Sequence, residues 1–216
     1  MRTAPARAVA DPLPLSPLAG NVSQVDRLWN ILPLIHGAHL TFYPKLVLGQ
    51  DLDPRMLLVF GLQIVWSLRI ATNSFRRGFY SFDIKRGFHG EDYRWLVVKE
   101  KIPKWAFSLL NLTFIAFIQN ILLAFMELPV YVLLCVRLSK TNAAPALGPV
   151  DYALAAFTVF CLAVELEADN QQQRFQHKKQ VALKRDDKAD PVVARGFVTG
   201  GLWGWSRHPN FALEQL

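Results

Sequence analysis

The sequence predicts an all-α, polytopic integral membrane protein with about four spanning helices, on three observations. Its 52% hydrophobic residues are gathered into blocks, at about 28–48, 55–72, 105–136 and 150–168. The mean hydropathy is positive, at +0.19, although 19% of the residues are charged. The charges in turn are concentrated between the blocks. A bilayer core about 30 Å thick needs roughly 20 mainly apolar residues as a helix, because hydrocarbon offers no partner to an open backbone group.

The first block, 28–48, is the weakest, being interrupted by Pro33, His36, Gly37 and His39. Ahead of it, Asp26, Arg27 and Trp29 mark either an interfacial anchor at Trp29 or simply a helix start. The second block, 55–72, opens after Pro54 and is followed by a strongly basic loop. Trp66, Arg69 and Asn73 stand three and four residues apart and therefore share one helical face. An ionisable group in a span is costly unless it is paired or reaches the interface, so Arg69 either snorkels to the surface or belongs to a site. The run 105–136 is too long for one crossing at 1.5 Å per residue. Glu127 and Pro129 divide it, predicting a span to about Ala124 and then a bend. Its amides Asn111, Gln119 and Asn120 read as groups that bond neighbouring helices. After the polar link TNAAPALGP, a last span begins near Asp151.

Net charge is +7, but the cations lie between apolar spans rather than on one soluble face. Nucleic acid is therefore not an expected partner. Arg76, Arg77, Lys85, Arg86, Arg94, Lys99, Lys101 and Lys104 fall in one loop, and Arg174, Lys178, Lys179, Lys184, Arg185, Lys188, Arg195 and Arg207 in another. The positive-inside rule puts both on the cytosolic side, an arrangement that four alternating spans satisfy. Aromatic residues alternate with charges through 73–104, which predicts an ordered cap rather than a disordered linker. Residues 1–20 read as a flexible lead ahead of a membrane domain, 21–216, with no apolar core of the kind a cleavable signal needs. Asn21-Val22-Ser23 matches a glycosylation acceptor that this topology leaves in the cytosol and unmodified. Cys135 and Cys161 lie in apolar stretches as small hydrophobes. No disulfide framework or zinc spacing is present, and no inverted repeat with broken helices suggests a transporter.

Two polar stretches could carry chemistry. In ELEADNQQQRFQ, Glu165 and Asp169 are one helical turn apart, with Gln172 and Gln173 continuing on or near that side. They form either a solvated extension of the last span or acceptors for the ribose or amide of a nucleotide. In GLWGWSRHPNFALEQL, Ser206 suits an N-cap region and Pro209 a first helical turn. Arg207 and His208 at that helix start would suit an anion, while Asn210 and Glu214, four apart, share a face.

The stretch SRHPNFALE resembles the SRHPNYFGE signature of the steroid 5-alpha-reductase C-terminal domain superfamily. VDRLW at 25–29, WSLR at 66–69, GEDYRW at 90–95 and ELEADNQQ at 165–172 resemble the same group in the same order. The likeness extends over about 21–216 and is nearest to a fungal and bacterial branch of unassigned function. It implies a membrane-bound, endoplasmic-reticulum oxidoreductase that uses NADPH to reduce an activated carbon–carbon double bond in a lipid or sterol-like substrate. By that resemblance, Asn210 and Glu214 contact the nicotinamide end and Asp169 lies on the cofactor side with Glu165, while the charge of Arg207 and His208, more than the resemblance, suits them to phosphate or ribose. Arg69, Asn73, Asp92, Arg94 and Trp95 fall in the supporting motifs. The expected partners are the bilayer and a hydrophobic small molecule.

The chain departs from the signature where Phe211, Ala212 and Leu213 replace Tyr-Phe-Gly. The resemblance also implies further spans beyond Leu216 and one ahead of VDRLW, so the sequence reads as incomplete at both ends. Activity is then expected of the longer protein. Two other function classes fit the same features: a lipid or prenyl-cysteine methyltransferase using S-adenosylmethionine, and a non-catalytic membrane scaffold or lipid-binding protein.

Overall fold

The computed structural model describes residues 24–78, 93–139, 146–185 and 190–215. Among these, every regular element is helical: α1 (Gln24–Leu28), α2 (Leu32–Leu46), α3 (Pro54–Arg76), α4 (Tyr93–Lys101), α5 (Lys104–Phe125), α6 (Leu128–Ser139), α7 (Pro149–Lys184), α8 (Pro191–Arg195) and α9 (Pro209–Glu214), with a 3₁₀ turn at Gly201–Gly204. The lead 1–20, the glycosylation sequence and the middle of the first basic loop lie outside the described residues.

Three helices, α3, α5 and α7, are long and apolar enough to cross a membrane, at 23, 22 and 36 residues. In each, only 17% of the apolar stretch is buried inside the protein, so the remaining apolar surface is of the kind that hydrocarbon covers. The block at 28–48, expected as a fourth crossing, is not among these three. Its helix, α2, has 15 residues, which at 1.5 Å each reach about 22 Å, short of the bilayer core. The chain turns away at Gly49, whose φ of +65° is a conformation glycine adopts without a Cβ clash. The bend expected near Glu127 is present: α5 ends at Phe125 and α6 starts at Leu128, with Pro129 in its first turn, where proline's missing N–H costs nothing.

The chain divides into two compact units, Met1–Pro33 with Ser74–Glu127, and Leu34–Asn73 with Leu128–Leu216. In the first unit, Trp95 Nε1 donates to Asp26 Oδ2 at 2.8 Å, joining the motifs VDRLW and GEDYRW. The Lys99 ammonium lies 5.2 Å from the Phe107 ring centre, a cation–π contact between α4 and α5. Residues Asn111–Ile118 of α5 are wound as a π-helix. The Asn120 amide bonds its own helix at the Ala116 carbonyl, 2.8 Å away, rather than a neighbour.

The second unit is organised by α3 and α7. Asp53 caps α3, its Oδ1 accepting from Arg55 N at 2.8 Å and Met56 N at 3.3 Å, with Pro54 in the first helical position. At the start of α7, Asp151 Oδ2 accepts from Gly148 N at 2.8 Å. The same carboxylate is held bidentately by Arg55, Nε at 2.6 Å and Nη2 at 2.8 Å. Toward the other end of α3, Arg69 reaches Asp169 on α7. The sequence separations across these pairs are 96 and 100 residues, so α3 and α7 run parallel and nearly in register. Val130 and Leu134 of α6 pack on Met56, with Leu40 and Tyr43 of α2 beside them.

Reversing either charge, Arg55→Asp or Asp151→Arg, is expected to lower the melting temperature in detergent, and the double exchange to recover most of it. Failure of the exchange to recover stability would show that the pair does not align the two helices.

Candidate functional site

Three helices of the second unit each contribute a pair of residues at one-turn spacing: Trp66 and Arg69 from α3, Glu165 and Asp169 from α7, and Asn210 and Glu214 from α9. Arg69 lies at the centre. Its Nη2 is 2.7 Å from Glu214 Oε2 and 3.0 Å from Glu165 Oε2, and its Nη1 is 3.2 Å from Asp169 Oδ2. The side chains of Arg69, Glu165 and Asp169 are 7%, 3% and 4% exposed, that of Glu214 33%. Snorkelling is thereby set aside: the guanidinium points inward to carboxylates, as a cation buried among apolar helices must. Trp66 Nε1 donates to the other Glu214 oxygen through a short hydrogen bond. Asn210 Nδ2 donates to Asp169 Oδ1 at 3.2 Å, while Asn210 Oδ1 is buried with no hydrogen-bond partner.

The return of α9 onto α7 depends on the preceding turn. Trp203 Nε1 donates to the Ala168 carbonyl at 2.9 Å, and Gln171 Oε1 accepts from Leu202 N at 3.0 Å. This approach needs glycine at 201, where φ is +62° and a Cβ would stand 2.5 Å from Gln171 Oε1. Gly201→Ala is expected to cost about 1–2 kcal/mol from the left-handed backbone alone, read as a lowered melting temperature. An unchanged melt would mean that the turn does not hold α9.

Two recesses flank the cluster along α7. The larger, of 480 Å³, is lined by Gln172, Gln176, Phe197, Trp203, Arg207 and His208 among others, and the buried Gln172 Oε1 has no partner. The smaller, of 230 Å³, lies on the other side, between Trp66, Glu165, Glu214 and apolar residues of α7 and α9.

Of the residues singled out in the sequence, Arg69, Glu165, Asp169, Asn210 and Glu214 come together. Arg207 and His208 do not join them: both are exposed and line the larger recess. The N-cap of α9 is His208 rather than Ser206, whose Oγ accepts from His208 N at 3.2 Å. With six residues, α9 has a short dipole, so the cationic side chains are the stronger attraction for an anion. Asn73 is half-buried and makes no hydrogen bond to the cluster. Arg94 and Trp95 belong to the first unit, and Asp92 lies outside the described residues. Trp66 and Gln171 join the site without having been singled out for it. The signal for Trp66 was its place one turn before Arg69; Gln171 lies within ELEADNQQ, but its role depends on where the Gly201 turn folds back. Among the described residues no His, Cys, Asp and Glu side chains are grouped to hold a metal ion.

The described residues thus form a helical chain with three membrane-length apolar helices and a buried charged cluster near the C-terminal part of α3. It belongs to the family described as protein of unknown function (DUF1295), whose model matches residues 14–216. It is 35% identical over 205 residues to the uncharacterized protein C594.04c of Schizosaccharomyces pombe, an alignment taking in 91% of this chain and 55% of that protein. The chain thus spans about half the length of the curated relative it matches. No solved structure matches it.

Proposed function

We propose that this chain carries the nicotinamide end of an NADPH site in a membrane-bound reductase, which reduces an activated carbon–carbon double bond of a lipid or sterol-like substrate. The observation that carries this reading is the meeting of ELEADNQQ, SRHPNFALE and WSLR, the segments that resemble steroid 5-alpha-reductase motifs, around Arg69. The fit of the cofactor rests on two orphaned acceptors. Asn210 Oδ1 and Gln172 Oε1 are buried without partners, and a carboxamide N–H or a ribose hydroxyl supplies the donor each one lacks.

Bound there, the nicotinamide would supply a hydride to one carbon of the double bond, while the other carbon takes a proton. The protein's part is positioning. Asp169 anchors the Asn210 amide by its nitrogen and so leaves its oxygen free to orient a carboxamide. Arg69 and Trp66 together fix both oxygens of Glu214. Arg207 and His208, on the larger recess, suit phosphate and ribose. The apolar helices around the cluster exclude water, which strengthens each of these interactions.

Orientation follows from the same reading. Because α3 and α7 run parallel, the basic segments that follow them begin on one side, which the positive-inside rule makes cytosolic, in keeping with an endoplasmic-reticulum enzyme. The test is isotope transfer. Membranes containing the protein, incubated with NADPH deuterated at the nicotinamide C4, are expected to yield a lipid that has gained one deuterium. If no lipid acquires the label from either C4 face, the reductase reading fails.

A further inference from the structure

The smaller recess has a chemistry of its own. Its lining includes Trp66, Phe157, Thr158, Cys161, Glu165 and Glu214. Its side-chain donors are almost all committed. Trp66 Nε1 donates to Glu214 and the Thr158 hydroxyl to the Leu154 carbonyl at 3.0 Å, which leaves only the weakly donating thiol of Cys161. Acceptors, by contrast, are left over. Glu165 is 2% exposed, and its Oε2 is ion-paired with Arg69 Nη2 at 3.0 Å and accepts no further hydrogen bond, so the carboxylate keeps lone-pair capacity for one more donor.

Size and surroundings narrow the occupant further. At 230 Å³ the recess has the volume of roughly eight waters, each with a share of about 30 Å³. That is room for a small head and the first few carbons attached to it. The rest of such a molecule has a path. From Cys161 the same face of α7 continues through Phe157, Leu154 and Val150, which are 46%, 61% and 70% exposed and spaced three to four residues apart, as an apolar stripe along a membrane-length helix. The three carboxylates around one guanidinium oppose an anionic head.

We propose that this recess seats the hydroxyl of a lipid alcohol, which donates to Glu165 while its hydrocarbon tail lies along Phe157, Leu154 and Val150 in the bilayer. A ketone finds no strong donor here, and a fatty acid or phospholipid head brings a further negative charge. The site goes beyond the reductase reading and does not rest on it, because no part of it needs a nucleotide.

The test is photolabelling of the protein in lipid nanodiscs without nucleotide. The probes are a palmityl-chain alcohol bearing a diazirine beside its hydroxyl, and the methyl ketone and carboxylic acid of the same chain. The alcohol is expected to label peptides that contain Phe157 to Glu165 about tenfold more than either analogue, the factor of one hydrogen bond to a charged group. Cys161→Phe, which fills the recess, is expected to abolish this labelling, and Cys161→Ser to keep it. Should Cys161→Phe fail to fold, Leu213→Trp closes the recess from α9 instead. Equal labelling by the ketone or the acid, or labelling unchanged in a folded, recess-filling variant, overturns the proposal.

Discussion

Replacing Arg69 with Leu is expected to cost about 3–5 kcal/mol, the effect of leaving buried charges without their partner, and is the largest loss of stability expected of any single change here. Glu165 and Asp169 are nearly inaccessible to water and share this one guanidinium, so removing it strands carboxylates that the apolar helices cannot solvate. A loss of that size should appear as a large fall in melting temperature in detergent, or as failure to accumulate in membranes. Combining Arg69→Leu with Glu165→Gln and Asp169→Asn is expected to recover much of the loss, because the stranded charge disappears with them. If the triple variant were no more stable than Arg69→Leu alone, the cost would lie in lost packing of the arginine stem rather than in charge. Arg69→Lys should fall between, since one ammonium cannot reproduce the fork that serves Glu214 and Asp169 from two nitrogens.

Glu214→Gln is expected to weaken NADPH binding roughly ten- to a hundredfold while lowering stability far less than Arg69→Leu. The two residues differ in burial: the Glu214 side chain is 33% exposed, against 7% for Arg69, so loss of its charge is partly relieved by water. Glutamine preserves the shape of the side chain but removes the charge that holds both the Arg69 and Trp66 hydrogen bonds. One charge-assisted bond is worth about 1.5–3 kcal/mol, or roughly ten- to a hundredfold in affinity. The measurement is fluorescence titration with NADPH on wild type and variant. Unchanged affinity would favour the scaffold reading, in which the cluster serves only to join three helices.

Much of the fold is legible in the sequence because apolar length and helix breakers are local properties. Pro54, Pro129 and Pro149 fall in the first turns of α3, α6 and α7, and the blocks behind Pro54 and Pro149 are long enough to cross a membrane. The block at 28–48 stands apart for an equally local reason: its composition is apolar, but its helix stops before Gly49. Extent alone separates it from α3.

The site is legible only in halves. Spacing shows that Glu165 and Asp169 share a face, and likewise Asn210 and Glu214, but spacing within a helix says nothing about which face meets which. Arg69 illustrates the difficulty, since a cation near a helix end reads as snorkelling until its partners on α7 and α9 are known. The charges of Arg207 and His208 drew attention to the right turn, yet the residues that enter the cluster are the next two polar positions, Asn210 and Glu214, because α9 turns that face toward α7. Gln171 falls inside ELEADNQQ, but its part in the site shows only with the Gly201 turn that packs against it.

Ligand-induced thermal shift of the detergent-solubilised protein with NADPH, NADP⁺ and S-adenosylmethionine, made on this chain and on a form extended at its C-terminus, tests the nicotinamide site directly. A rise in melting temperature with the nicotinamide nucleotides, absent with S-adenosylmethionine and reduced in Glu214→Gln, is the expected result. A rise with S-adenosylmethionine alone, or none with any of the three in either form, would contradict it.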